Sequence, residues 1–175
     1  MEERYSVRSV LNDPAAEVDP AAKRAEAKTP LEKAKNHAMN YLRRPHSEAE
    51  LRKKLAEKGC TPEDTETVVA LCLDYGFLDD REYAAMLVRH YGAGGYGEGR
   101  VRSELKRHGI DPALWAEALS GLTGGEDTLD RLLAARLRGT DVSDRREREK
   151  AAAALFRRGF SWEDIRAAMN RYREE

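Results

Sequence analysis

Gly92, Gly94 and Gly97 fall in the order G-x-G-x-x-G, the spacing with which a dinucleotide-binding loop brings main-chain N–H groups to a pyrophosphate. That chemistry needs a strand just before the loop and a βαβ unit around it. The residues ahead of Gly92 have helical periodicity instead, so Gly92–Gly99 is expected to be a flexible link between helices. No Gly-Lys-Ser/Thr follows, which removes a P-loop. His46 stands close to Glu48 and Glu50, but the order His-Ser-Glu-Ala-Glu is not HExxH, so His46 is expected to serve a helix start. Cys60 and Cys72 lack any Cys or His neighbour at metal-ligand spacing and are expected to be two reduced thiols. No Ser/His/Asp set or carboxylate pair rises above the charge background. The expectation is a non-enzymatic protein with no cofactor, no metal and no catalytic residue.

Binding chemistry is a better match to the composition. Charged residues make up 36% of the 175 and aromatics only 7%, which suits short amphipathic helices with solvated outer faces. With a formal net charge of -1 there is no global drive toward nucleic acid, so any such contact must use locally sorted charge. The charge is sorted. Lys53, Lys54 and Lys58 cluster first, then Arg100, Arg102, Lys106 and Arg107, then Arg145, Arg146, Arg148, Lys150, Arg157 and Arg158. Between Gly59 and Asp80, and between Asp111 and Gly121, there is no Lys or Arg. A charge run is most often a solvated face. Its recurrence three times nominates Lys53, Lys54, Arg100, Arg102, Lys106, Arg107, Arg145 and Arg148 as one binding stripe.

The elements that would carry this stripe repeat. KLAEKGCTPED (Lys54 to Asp64), ELKRHGIDPAL (Glu104 to Leu114) and ALFRRGFSWED (Ala154 to Asp164) superpose without a gap, aligning Leu55, Leu105 and Leu155 as well as Gly59, Gly109 and Gly159. Each glycine is placed just past a helix, where the left-handed conformation is needed, and the apolar residue after it pairs with the leucine four before it. Thr61, Asp111 and Ser161 then cap the next helix, with Pro62 and Pro112 at its first position. A further helix precedes each pair. It carries Ala34, Ala38, Tyr41 and Leu42 in the first copy, Tyr83, Ala84, Leu87 and Val88 in the second, and Leu129, Leu132, Leu133 and Leu137 in the third. The predicted fold is all-α, nine helices in three three-helix repeats over 31–77, 78–122 and 123–175, after a disordered arm at 1–30 rich in Ala, Asp, Glu and Pro.

The stretch YLRRPHSEAELRKKLAEKG (Tyr41 to Gly59) resembles the opening repeat of the RecX family, on Tyr41, Leu42, His46, Ser47, Glu50, Leu51, Leu55 and Gly59. YGFLDDREYAAMLVR (Tyr75 to Arg89) resembles that family's second signature, on Gly76, Asp79 and Asp80, and the stretches around Gly109 and Gly159 resemble its later repeats. The resemblance spans about residues 33–173. It implies an elongated, curved array that binds along the filament of the RecA recombinase on DNA and inhibits its ATPase, strand-exchange and coprotease functions. It also implies DNA, single- and double-stranded, as a partner met weakly or through RecA. The glycine-rich Gly92–Gly99 departs from the more basic link of the relatives.

Two other readings compete. Three-helix units suggest a sequence-specific helix-turn-helix protein, but its last helix must enter the major groove, and acidic last helices would repel phosphate there. A helical-repeat scaffold for another protein is the second. With no signal-like apolar stretch and no run of transmembrane length, a cytoplasmic monomer with no membrane contact is expected.

Overall fold

A computed structural model of the chain describes residues 28–140 and 144–174. The arm read over 1–30 lies outside the described residues except for its last three, and these already belong to a helix start. Among the described residues there are nine α-helices and one 3-10 turn and no strand. The chain divides into two compact units, Met1–Asp80 and Arg81–Glu175.

The first unit holds α1 (Pro30–Tyr41), α2 (Glu48–Glu57) and α3 (Pro62–Asp74). Thr29 opens α1 with a reciprocal capping box: its hydroxyl accepts from the Glu32 N–H (3.2 Å) and the Glu32 carboxylate accepts from the Thr29 N–H (2.8 Å). Ser47 and Glu50 repeat the device at α2 (3.1 Å each way). At α3 the box is altered, because aspartate is one methylene shorter than glutamate. The Asp64 N–H still donates to Thr61 Oγ1 (3.1 Å), but the carboxylate turns to the Thr61 hydroxyl (2.8 Å) and leaves the cap N–H alone. The core is Ala34, Ala38, Leu51, Leu55, Val68, Val69, Cys72 and Leu78, all buried. Two alanines on the inner face of α1 let it lie close against α2 and α3. Burial pushes the Cys72 thiol up to about 11, so it stays protonated and acts as packing.

The second unit holds two clusters. Around the first are α4 (Asp80–Ala93), α5 (Glu98–Arg107), the 3-10 turn Pro112–Leu114 and α6 (Trp115–Leu119). Around the other are α7 (Gly125–Leu137), α8 (Arg145–Arg157) and α9 (Trp162–Glu174). The third helix of the middle copy is shorter than its 13-residue counterpart α3. Asp111 caps a single 3-10 turn through the Ala113 N–H (2.8 Å), Trp115 anchors it by donating Nε1–H to the Ile110 carbonyl (3.0 Å), and Gly121, Gly124 and Gly125 follow, where helix is costly.

The three aligned glycines make the same turn. Gly59, Gly109 and Gly159 have φ of 74°, 71° and 91°. The N–H after each glycine donates to the leucine carbonyl five residues back: Cys60 to Leu55 (3.1 Å), Ile110 to Leu105 (3.0 Å), Phe160 to Leu155 (3.4 Å). This is the Schellman arrangement expected from the spacing.

Ser47 is fully buried at its cap, where no water can replace its oxygen. Ser47→Ala is therefore expected to cost about 1–2 kcal/mol. Urea unfolding would measure this, and a loss under about half a kcal/mol would mean the cap is not holding α2.

Candidate interaction surface

Helix α5 carries four of the eight nominated cations, and helical spacing sorts them into two pairs. At about 100° per residue, Arg102 and Lys106 flank the buried Val101 and Leu105 on one side, and Arg100 and Arg107 flank them on the other. The second pair has a structural task. Glu104 is 3% exposed and buried beside Leu105, and it receives Arg100 (2.7 Å) and Arg107 (2.6 Å). Burial alone would raise its pKa. The bonds from Arg107 and Tyr91 and the charges of Arg107 and Arg100 outweigh that and hold the carboxyl below its ordinary value. Arg107 also reaches His108 Nε2 (3.0 Å), while His108 Nδ1 meets the Tyr83 hydroxyl (3.1 Å). Arg102 pairs only with exposed Glu98 (2.6 Å), and Lys106 has no ion pair among the described residues.

The remaining nominated cations are spread over α2 and α8. In the first unit Lys53 faces solvent, whereas Lys54 reaches Glu57 (3.3 Å) and lies 5.9 Å from the centre of the Tyr41 ring. In the second, Arg145 is tied to Glu149 one turn on (2.7 Å) and Arg148 is half-buried. The six of the second unit thus do not share one face. The cation-only count left out Glu98, Glu104 and Glu149, each one helical turn from an arginine.

The glycine-rich link is docked, not loose. The Gly97 and Gly99 N–H groups donate to the carbonyls of Arg158 and Gly159 (2.9 Å each). The Arg158 guanidinium returns two bonds to the carbonyls of Gly94 and Gly95 (3.1 Å each) and covers the Tyr96 ring. A Cβ on Gly97 would stand 2.5 Å from the Gly159 carbonyl oxygen, so only glycine fits. Beside this junction an open groove of about 850 Å³ runs between the two halves of the unit. Leu119, Leu122, Leu129 and Phe160 line it, with Arg102, Ser103, Phe156 and Arg157 also on its walls.

Phe156 is 48% exposed and stacks on Trp162, which is 49% exposed, at 4.8 Å between ring centres and 19° between planes. Sequence reading passed over this pair. The two residues lie on α8 and α9, on either side of the Gly159 turn, where neither helical nor strand periodicity links them.

Comparison with known proteins agrees with this architecture. Profiles for the first, second and third three-helix domains of RecX match residues 34–71, 79–119 and 126–169. The chain is 36% identical over 157 residues to a protein named Regulatory protein RecX of Xanthomonas citri, covering 87% of this chain and 94% of that one. The chain belongs to the RecX family. RecX of Vibrio vulnificus is 33% identical over 143 residues (81% of this chain, 94% of that one). The crystal structure of RecX from Lactobacillus salivarius has the same fold, with a TM-score of 0.73 at 21% identity, covering 81% of this chain and 96% of that one.

The residues that carry the RecX resemblance are mostly structural in this chain. His46 stacks on Tyr41 (3.9 Å, 12°) and approaches Glu50 (3.4 Å), Ser47 and Glu50 cap α2, and Leu51 and Leu55 fill the core, with Leu42 packed against it. Gly76, like Gly59, has positive φ, at 69°. From the paired aspartates, Asp80 accepts the Glu48 N–H at the start of α2 (2.9 Å). Its pKa is raised, by burial first, with the Glu48 bond opposing. The first RecX signature and the start of the second thus read as the wiring of one three-helix unit, with Asp79 exposed at its edge.

Proposed function

We propose that this chain binds the RecA filament on DNA and restrains it, acting by occupancy and without chemistry of its own. Membership of a family of regulatory proteins, along nearly the whole described chain, carries this reading. The surface chemistry supports it: Lys53, Arg102, Lys106 and Arg145 stand exposed on helix faces. DNA is met chiefly in the filament. The helix-turn-helix reading has less support, because α3 carries Glu63, Asp64, Glu66 and Asp74 and no Lys or Arg.

Arg102 and Lys106, with Lys53 on α2 and Arg145 on α8, are the cations we assign to the filament. Arg100 and Arg107 are left out because they hold Glu104. In the test, protein is added to preformed RecA filaments and ATPase activity is followed. Wild type should lower it, and Arg102→Glu/Lys106→Glu should need several-fold more protein for the same effect, with the gap narrowing as salt screens the charges. Unchanged ATPase with wild-type protein at saturation would overturn the reading. Equal potency of a folded double variant across the salt series would remove the assigned cations alone.

A further inference from the structure

We propose that the Phe156–Trp162 stack is a platform for the unpaired bases of single-stranded DNA. Two half-exposed aromatic rings, stacked on each other, are an unusual thing for a protein with 7% aromatics to leave in water. Stacking leaves an outer ring face and two edges for a further planar group, and every base offers such a face whatever its identity.

The charges beside the rings match a phosphate-bearing ligand. Arg157 follows Phe156 directly, and Arg166 stands one turn beyond Trp162 on the same face of α9. Both are exposed and neither forms an ion pair among the described residues. Asp164 is occupied by the Ser161 hydroxyl (2.7 Å), and Glu163 lies about 100° round the helix from Trp162. Phe156 also borders the groove, whose walls carry Arg102 and Ser103 together with Glu98, Glu126 and Asp164, so the cations that favour phosphate are those beside the rings and not those of the groove. Duplex DNA, whose bases are already stacked, would gain little from the platform.

The proposal rests on the filament reading for its setting, and its test omits the recombinase, so either can fail alone. The chain has two tryptophans, and Trp115 is held at Ile110 away from the platform. In a Trp115→Phe protein the emission of Trp162 is read directly. Titration with oligothymidylate of about 20 nucleotides at low salt should quench it, and duplex DNA at equal phosphate should quench it much less. Phe156→Ala should weaken oligothymidylate binding about five-fold or more. Phe156→Leu, which keeps apolar bulk without a ring, should do the same if the alanine variant folds poorly. Trp162→Phe, followed by the anisotropy of a labelled oligonucleotide, should retain binding. Unchanged emission, equal quenching by duplex, or wild-type affinity in the folded Phe156 variants would each overturn the proposal.

Discussion

Gly159→Ala is expected to destabilise the second unit by about 3 kcal/mol or more, while Gly59→Ala costs the first unit only about 1 kcal/mol. Both glycines terminate a helix in the left-handed region, where a Cβ is strained by about 1–2 kcal/mol. The two differ in what surrounds them. Nothing lies within 4 Å of a Cβ built on Gly59, whereas one on Gly159 would overlap the backbone of Arg100. Overpacking against backbone costs roughly 1–3 kcal/mol more, because neither segment can yield without breaking the Gly97 and Gly99 bonds. Urea unfolding followed by circular dichroism would compare the variants. Equal losses would show that the turn, and not the junction, dominates at Gly159.

The second large effect concerns Glu104. Arg100→Ala/Arg107→Ala should cost about 3 kcal/mol near neutral pH, since it leaves a buried carboxylate without its cations. The pH dependence should invert as well. In the wild type the folded-state pKa of Glu104 is depressed, so its contribution is fully present above its ordinary 4.5 and is lost as pH falls below it. In the double variant burial, already the largest single influence, is opposed only by the Tyr91 bond, and the pKa rises. The neutral acid then suits the fold, and the penalty grows as pH rises through the new folded value. The stability gap between the two proteins should therefore shrink from pH 7 toward about pH 4. A gap independent of pH would mean that the loss comes from packing of the arginine stems.

Legibility of the sequence followed the range of the interactions. The Gly59, Gly109 and Gly159 turns were readable because a helix end uses residues within six positions of one another, and their hydrogen bonds fall where the spacing put them. The all-helical, three-repeat RecX architecture was readable for the same reason, since capping and periodicity are local. Glu104 was missed because its helix is dominated by arginine, and burial of one carboxylate depends on how α5 is rotated against its neighbours. The short α6 follows from glycines downstream of a good helix start, which the repeat alignment could not reveal. The docked state of Gly92–Gly99 depends on the Arg158 and Gly159 carbonyls and the Arg158 guanidinium, about 60 residues away, and no periodicity encodes those. Among the nominated cations, Arg102 with Lys106 and Arg100 with Arg107 were grouped as one set because net charge was counted without its counter-charges.

The junction at Gly97 and Gly159 is written almost wholly in peptide groups, with Arg158 as the one side chain that clasps it. Peptide groups are common to every residue, so the geometry of this join does not depend on what the neighbouring outward-facing positions carry. Such a unit separates two inheritances. The angle between its halves is fixed by two missing Cβ atoms, and outward-facing side chains such as those of Arg102, Lys106, Phe156 or Trp162 are free to drift, or to be redesigned, without disturbing that angle.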